Sequence, residues 1–379
     1  MAARGTGDGG MCRRSRGSGG PIPRIQRGGG GGGGGRSSLM TLDMRVLWLL
    51  VALVAGISSE VKLREVDAAT RPPPPTSESK LVAALLNANV TRYVLKEDVI
   101  LTRTLPEVAT RQSLTLVGEC PRARRCAIDG QGRYQGLVFS DTNFVLTNLE
   151  IRNMRATEGA AVSSSGGNYK TATNCVFKGN RAEGGGAIEY QDGWFEFDGC
   201  MFEANRATVN GGGAVRKTTD YGSAVFKNTV FKNNVAKENG GAVQFVKGNI
   251  HLRSCQFLDN KATGGNGGAI AFSRLRSTIA STKFLRNSAA KGLGGAARFF
   301  IYDADITLCR GNTFVGNRAV NGSSNLSIAG DDSTESEVFS PPVLNFCAST
   351  PPQTLIESPS RMIKRSCNGC SKTSGWVSG

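Results

Sequence analysis

Histidine is almost missing from this 379-residue chain, which has one, His251. A single imidazole excludes multi-histidine metal centres. His251 lies in the strand-like run Ile250-His251-Leu252, where a surface or core role accounts for it without catalysis. No nucleophile–base arrangement is recognisable. Long apolar runs are lacking too. The stretch Val46 to Ile57 has 12 residues, against about 20 for a membrane-spanning helix. Acidic residues are outnumbered, 30 against 46 Lys and Arg, which leaves a formal charge of +16. Polysaccharide hydrolysis needs paired carboxylates at a fixed separation, and the acids here are thinly spread. Asp331-Asp332 falls beyond the repeats described below. Glu189, Asp192, Glu196 and Asp198 form the one dense group, with Glu189, Glu196 and Asp198 expected on one face of neighbouring coils. They fall short of a clustered calcium-ligand set, so no metal site, catalytic residue or cofactor is assigned.

Glycine is abundant, with 50 residues. The first stretch, residues 1–43, contains Gly28 to Gly35 unbroken and is read as a disordered Gly/Arg-rich leader with too little apolar surface to fold. Its seven Arg against Asp8 and Asp43 give +5, so the rest of the chain carries 16 − 5 = +11. Met44-Arg45, the apolar run and Ser58-Ser59 then read as a secretory signal peptide or an uncleaved signal anchor over 44–59. A membrane contact is expected only if the 46–57 segment is uncleaved. Residues 60–76, with Pro72 to Pro75, form a Pro-rich linker. Ten cysteines fit an oxidising compartment. The sequons at Asn89, Asn321 and Asn325 are candidate N-glycosylation sites that agree with export.

The remaining pattern is a repeat. Phe-x-x-Asn occurs at Phe177/Asn180, Phe202/Asn205, Phe231/Asn234, Phe257/Asn260, Phe284/Asn287 and Phe314/Asn317, in steps of 25, 29, 26, 27 and 30 residues. Gly-Gly-Ala plus an apolar residue begins at Gly185, Gly212, Gly240, Gly267 and Gly294. A degenerate copy places Ile151 and Gly159-Ala160-Ala161-Val162 upstream. A fixed period of this size means stacked units that share one core. Each unit holds short strand-like runs joined by Gly/Asn turns. The pattern therefore predicts an all-β chain, a parallel β-helix over 77–330 with regular repeats over 147–318. A short capping helix is expected from Ser77 to Ala88, begun by Ser77 or Ser79. Two or three irregular opening coils follow from Tyr93, and 331–379 is read as an irregular Cys-containing tail.

Stacked coils turn equivalent positions into columns. The six Phe become an inward ladder and the six Asn a second, at a turn. The residue after each Asn is Arg181, Arg206, Val235, Lys261, Ser288 or Arg318. The four basic members make a candidate stripe for a polyanion such as an acidic cell-wall or matrix polysaccharide. Glu183 and Glu238 are the nearest candidate counter-charges. Cys120 and Cys126 are candidates for a small disulfide loop, and Cys367 and Cys370 for a terminal clamp with Cys347. Cys175, Cys200 and Cys255 read as inward small apolar groups. Nucleic acid is not an expected partner.

These repeats resemble those of the chlamydial polymorphic outer-membrane proteins and similar algal and protist extracellular proteins. The resemblance implies a right-handed parallel β-helix of the pectin-lyase-like superfamily, with surface exposure and adhesion. Ile128-Asp129-Gly130-Gln131-Gly132 resembles a polygalacturonase coil turn, but the catalytic Asp motifs and Gly-His-Gly of those enzymes are missing. The expectation is a secreted or cell-surface, non-enzymatic protein that binds polysaccharide or another surface protein. The alternative is a polysaccharide-active enzyme of the same fold.

Overall fold

A computed structural model describes residues 75–109, 112–219, 221–273, 276–301, 305–330, 343–347, 354–357, 363–365 and 370. The leader, the signal segment and most of the linker lie outside the described residues. Among those described, no helix is long and apolar enough to cross a membrane.

The chain is a right-handed β-solenoid. Four parallel sheets of eleven, nine, six and ten strands run along it. They are numbered first to fourth in the order in which each coil meets them. A middle coil shows the circuit: Tyr169–Thr173 in the first sheet, Val176–Lys178 in the second, Arg181–Ala182 in the third, and Ile188–Tyr190 in the fourth. The next coil re-enters the first sheet at Trp194–Asp198.

Two columns of left-handed residues bend each coil. Asn174, Gly199, Asn228, Ser254 and Ser281 sit between the first and second sheets. Gly179, Ala204, Asn233, Asp259 and Arg286 precede the inward Asn. Asn and Gly adopt this region most readily, which explains the Asn-rich turns of the repeat.

The paired glycines have two separate causes. The first of each pair, such as Gly240 at φ 65°, needs positive φ. The second needs close approach, since a Cβ on Gly241 would lie 2.0 Å from the Gly268 carbonyl oxygen of the next coil.

The Phe column faces inward and stacks. Centroid separations are 4.8, 4.8, 4.6, 5.0 and 4.9 Å from Phe177 to Phe314. Phe314, at the end, is partly buried. The Asn column is buried throughout. Asn205 shows its logic. Its Oδ1 accepts from the backbone N–H of Asn180 at 3.1 Å and from Asn180 Nδ2 at 3.0 Å. Its own Nδ2 donates to Asn234 Oδ1 at 3.0 Å and to the Phe177 carbonyl at 2.9 Å. Two donors and two acceptor sites are all used, so burial of the amide leaves nothing unpaired. Asn287 repeats the arrangement three coils on. Its Oδ1 accepts from the Asn260 N–H and from Asn260 Nδ2, both at 3.0 Å. Its Nδ2 donates to Asn317 Oδ1 at 3.0 Å and to the Phe257 carbonyl at 2.9 Å.

Several expectations are corrected. The helix, α1, spans Ser77–Leu86, and its cap is Thr76, whose Oγ1 accepts from Ser79 N–H at 3.1 Å. It buries Leu81, Val82, Ala84 and Leu85. Glu78 on α1 accepts from the Thr102 N–H at 2.8 Å and the Thr102 hydroxyl at 2.6 Å, fixing the helix to the first coil. The tail after residue 330 is not simply irregular. Val343–Phe346 and Ile363–Arg365 extend the first sheet, and Thr354–Glu357 extends the fourth.

Cys120 and Cys126 form the expected disulfide. Cys370 instead bonds Cys309, with Cys347 Sγ 2.6 Å from Cys370 Sγ, so the tail is fastened directly to a coil. Cys367 lies outside the described residues. Cys175, Cys200 and Cys255 are buried free thiols. Their Sγ atoms donate to carbonyls, for example Cys255 to Phe226 at 3.2 Å and Arg253 at 3.4 Å. Thr229 and Thr282 occupy the same column and also bond the carbonyl two residues back, at 2.7 and 2.9 Å. The column therefore selects a short donor, more than an apolar group.

Phe257, stacked on both sides and fully buried, provides the test of the inner ladder. Phe257→Ala is expected to lower unfolding free energy by about 3–5 kcal/mol, measured by urea denaturation. An unchanged midpoint would contradict the packing described.

Candidate functional site

The six ladder asparagines are scaffold and offer nothing to a ligand. Asn287, for example, is 0% exposed, and its amide is used up between the coils on either side. The positions open to a partner are the outward ones beside them.

The residue after each ladder Asn forms the third sheet. Parallel pairing puts Arg181, Arg206, Val235, Lys261, Ser288 and Arg318 in one column. Arg155 joins at the N-terminal end through an isolated bridge to Arg181, a member that the degenerate repeat hid from the sequence. The Arg and Lys side chains of this column are exposed, because the following Ala points inward and strand alternation turns them out.

None of Arg155, Arg181, Arg206, Lys261 and Arg318 makes an ion pair among the described residues. Glu183 and Glu238, the expected counter-charges, do not reach them. The neighbouring second sheet differs. There Lys178 meets Glu203 at 3.0 Å, Lys232 meets the same carboxylate at 3.9 Å, and Arg152 meets Asp129 at 2.8 Å. Most charges of the second sheet are paired, whereas the cations of the third are not. Arg155, Arg181 and Arg206 stand on consecutive rows, whose backbones are about 4.8 Å apart, while Val235 and Ser288 separate Lys261 and Arg318 from the other cations.

The acidic group does not assemble as expected. Glu196 and Asp198 lie on the first sheet, where Glu196 pairs with Lys227 and Asp198 accepts from Asn228 Nδ2 at 2.9 Å. Glu189 lies on the fourth sheet, paired in register with Arg216. Its Oε1 accepts from Arg216 Nη1 at 3.2 Å, while Oε2 is buried without a hydrogen-bond partner. The turn glycines cover this pair: a Cβ on Gly184 would lie 2.7 Å from Glu189 Oε2. Burial pushes the Glu189 carboxyl up to about 7; Arg216 opposes the rise and Glu158 adds to it.

His251 is half-buried on the outer side of the first sheet, between Val225 and Thr278, and burial pushes its imidazole down to about 4. Lys170 is fully buried, its Nζ donating to the carbonyls of Gly167 at 2.8 Å and Asp192 at 2.6 Å, and burial lowers its amine to about 8.

Two of the three sequons sit in exposed positions, Asn89 and Asn321. Asn325 does not. It is buried, and its Oδ1 accepts from Asn317 Nδ2 at 3.1 Å, closing the inner ladder. The folded coil has no room for a glycan on that amide, so Asn325 is withdrawn as a modification site and counted as a ladder residue. A second, outer asparagine ladder also went unread in the sequence. Asn239 Oδ1 accepts from the Asn266 N–H at 2.8 Å, and Asn266 Oδ1 from the Leu293 N–H at 2.8 Å.

The ordinary pKa of Glu189 is 4.5 and its folded value about 7. Between those values the folded chain holds a proton that the unfolded chain releases, so this group favours folding as pH falls. His251 acts oppositely: between about 4 and 6.5 the unfolded chain takes up the proton, and stability rises with pH. Comparison with Glu189→Gln separates the two. The stability difference between wild type and Glu189→Gln should change by on the order of 3 kcal/mol between pH 4.5 and 7.5, read from urea melts; a pH-independent difference would contradict the buried carboxyl. In NMR titration the sole histidine is expected to show its midpoint near 4, with a midpoint near 6.5 as the contrary result.

A family profile described as right handed beta helix region matches residues 116–284. The matched span covers most of the regular coils and supports the pectin-lyase-like β-helix as the architecture. No curated protein and no solved structure matches the chain.

Proposed function

We propose that this chain is a secreted or cell-surface binding protein that holds an acidic polysaccharide along the third sheet. One observation carries the reading: five cations in one register column have no ion-pair partner, beside a second sheet most of whose charges are paired. Arg155, Arg181 and Arg206 on consecutive coils repel one another, and a polyanion lying along the column relieves that repulsion and reaches Lys261 and Arg318 beyond the neutral Val235 and Ser288. The β-helix fold is shared by adhesins and polysaccharide enzymes, so the fold alone does not choose between them. The resemblance of the Phe-x-x-Asn repeats to surface proteins favours adhesion or a matrix role. The ten cysteines and the exposed sequons Asn89 and Asn321 favour an oxidising, extracellular setting.

The enzymatic alternative has one observation in its favour, the Glu189 carboxyl held near 7, in the range of a general acid. Its oxygen faces turn glycines and is closed to a polymer, which favours a binding role over cleavage.

The test is retention on heparin or on immobilised polygalacturonate. Replacing Arg181, Arg206 and Lys261 together with Gln removes charge from exposed positions and leaves the inner ladders intact. The triple variant is expected to elute at clearly lower salt with an unchanged melting temperature, since exposed charge contacts are screened by salt. Elution of the wild type with a neutral control protein would overturn the reading. Release of reducing ends or unsaturated products, abolished by Glu189→Gln, would replace it with the enzymatic one.

A further inference from the structure

Among the described residues two large aromatic side chains are exposed, Tyr169 and Tyr221, and both lie on coils adjacent to that of the half-buried Trp194. Tyr169 and Trp194 are paired in register as the opening residues of adjacent first-sheet strands. The next strand places Ser223 opposite Trp194, with Tyr221 just before it on the turn from the fourth sheet. Tyr169 is 64% and Tyr221 80% exposed, and Trp194 is half-buried. Among the described residues none of the three rings packs on another aromatic ring; the internal stacks use other residues. Two exposed rings beside a half-buried one make an apolar surface of the kind that marks contact sites.

The backbone beneath them is held rigidly. The ammonium of Lys170 is buried under the corner and tied to the carbonyls of Gly167 and Asp192. Asn143 Oδ1 accepts from the backbone N–H groups of Asn168 and Tyr169, both at 2.8 Å. The carbonyls of Gly167 and Gly193 lie so close to the glycines of the following coil that a Cβ there would come within 2.2 and 2.3 Å. The rings therefore stand on a hydrogen-bonded, close-packed backbone.

At the corner itself Asp192 Oδ1 accepts from the Thr219 hydroxyl at 2.7 Å. Further along the same strands Lys227 pairs with Glu196, and Asp198 accepts from Asn228 Nδ2 at 2.9 Å. Exposed polar groups flank the rings at Asn168 and Asn249.

From these observations we infer that the corner formed by Tyr169, Trp194 and Tyr221 is a second binding site, a stacking platform for the uncharged pyranose rings of a neutral polysaccharide. The C–H faces of such rings lie flat on aromatic surfaces, while their hydroxyls meet the flanking amides. The first sheet does not adjoin the third within a coil, since the second and fourth intervene on either side. Both sites are therefore open at once, and one molecule links a neutral to an acidic polymer. The platform itself does not depend on the polyanion reading, whereas the linking of two polymers rests on it.

The test is affinity electrophoresis of the full chain in gels containing hydroxyethylcellulose, laminarin or galactomannan, with polygalacturonate in parallel. Tyr169→Ala and Tyr221→Ala alter exposed side chains, and an unchanged melting temperature shows that the fold is kept. Wild type is expected to be retarded by at least one neutral polymer, insensitively to salt. The double Tyr variant should weaken that binding at least about ten-fold, the scale of a lost aromatic anchor, while the Arg181, Arg206 and Lys261 variant should leave it unchanged. Absence of retardation by all three neutral polymers, or retardation that survives both Tyr substitutions, overturns the platform. Salt-sensitive retardation by polygalacturonate alone overturns the platform and leaves the cationic column standing.

Discussion

The buried asparagine ladder is the constraint on which the other features of the coil rest. At each turn a left-handed residue leaves backbone N–H and C=O groups inside the tube, where water cannot serve them. The amide of asparagine answers with two donors and two acceptor sites, each used once. Asn234, for instance, receives both bonds from Asn205, gives one to Asn260 and returns one to the Phe202 carbonyl. Aspartate would lose both donors, leucine would strand four partners, and glutamine is a methylene too long for the spacing. The ladder also explains the neighbouring Phe. Its carbonyl is tied to the asparagine of the following coil, so the Phe strand is held in register and its ring falls on the ring below. Ring stacking thus follows from amide bonding.

Because the inner columns settle both register and turn geometry, the outer columns are released from structural duty and diverge. The second sheet pairs most of its charges through Glu203 and Asp129, and the third leaves its cations without ion pairs. The first sheet carries an ion pair beside bare aromatic rings. A globular core couples such choices, since a surface change propagates through packing. In a solenoid each coil contacts its neighbours alone, so a face can be specialised coil by coil at little cost to the fold.

The inner architecture was legible in the sequence for the same reason. Phe-x-x-Asn and Gly-Gly-Ala recur because every coil presents the same environment to those positions. What escaped reading depends on residues that do not recur. Cys309 finds Cys370 across sixty-one positions, through a tail that carries no repeat. Asn325 looks like a sequon until the end of the ladder is seen to need one more acceptor. Glu189 shares a short sequence window with Glu196 and Asp198, yet a coil corner lies between them and puts it on another sheet. Arg155 and the Tyr169–Trp194 pair are in phase with the repeat, but that phase becomes visible only once the insertions between coils are placed.

The uneven repeat steps bear on this last point. The Phe spacing varies from 25 to 30 residues, yet the inner columns keep register through every pairing from Phe177 to Phe314. The extra residues must therefore leave the coil at its corners. The longest steps bracket Tyr221, where the fourth sheet turns into the first, and the approach to Phe314. The third-sheet strand, by contrast, keeps the Asn-x-Ala form in all six repeats, with x basic in four, because the Asn ladder holds it; insertions fall just after it, where the first paired glycine follows Asn180 by five residues and Asn205 by seven. A row of charges that must stay aligned over many coils is placed where the chain cannot vary. A cluster of rings that spans three coils is placed where it can. The positions of the two faces follow from which corners of the coil are locked by the amide ladder and which are not.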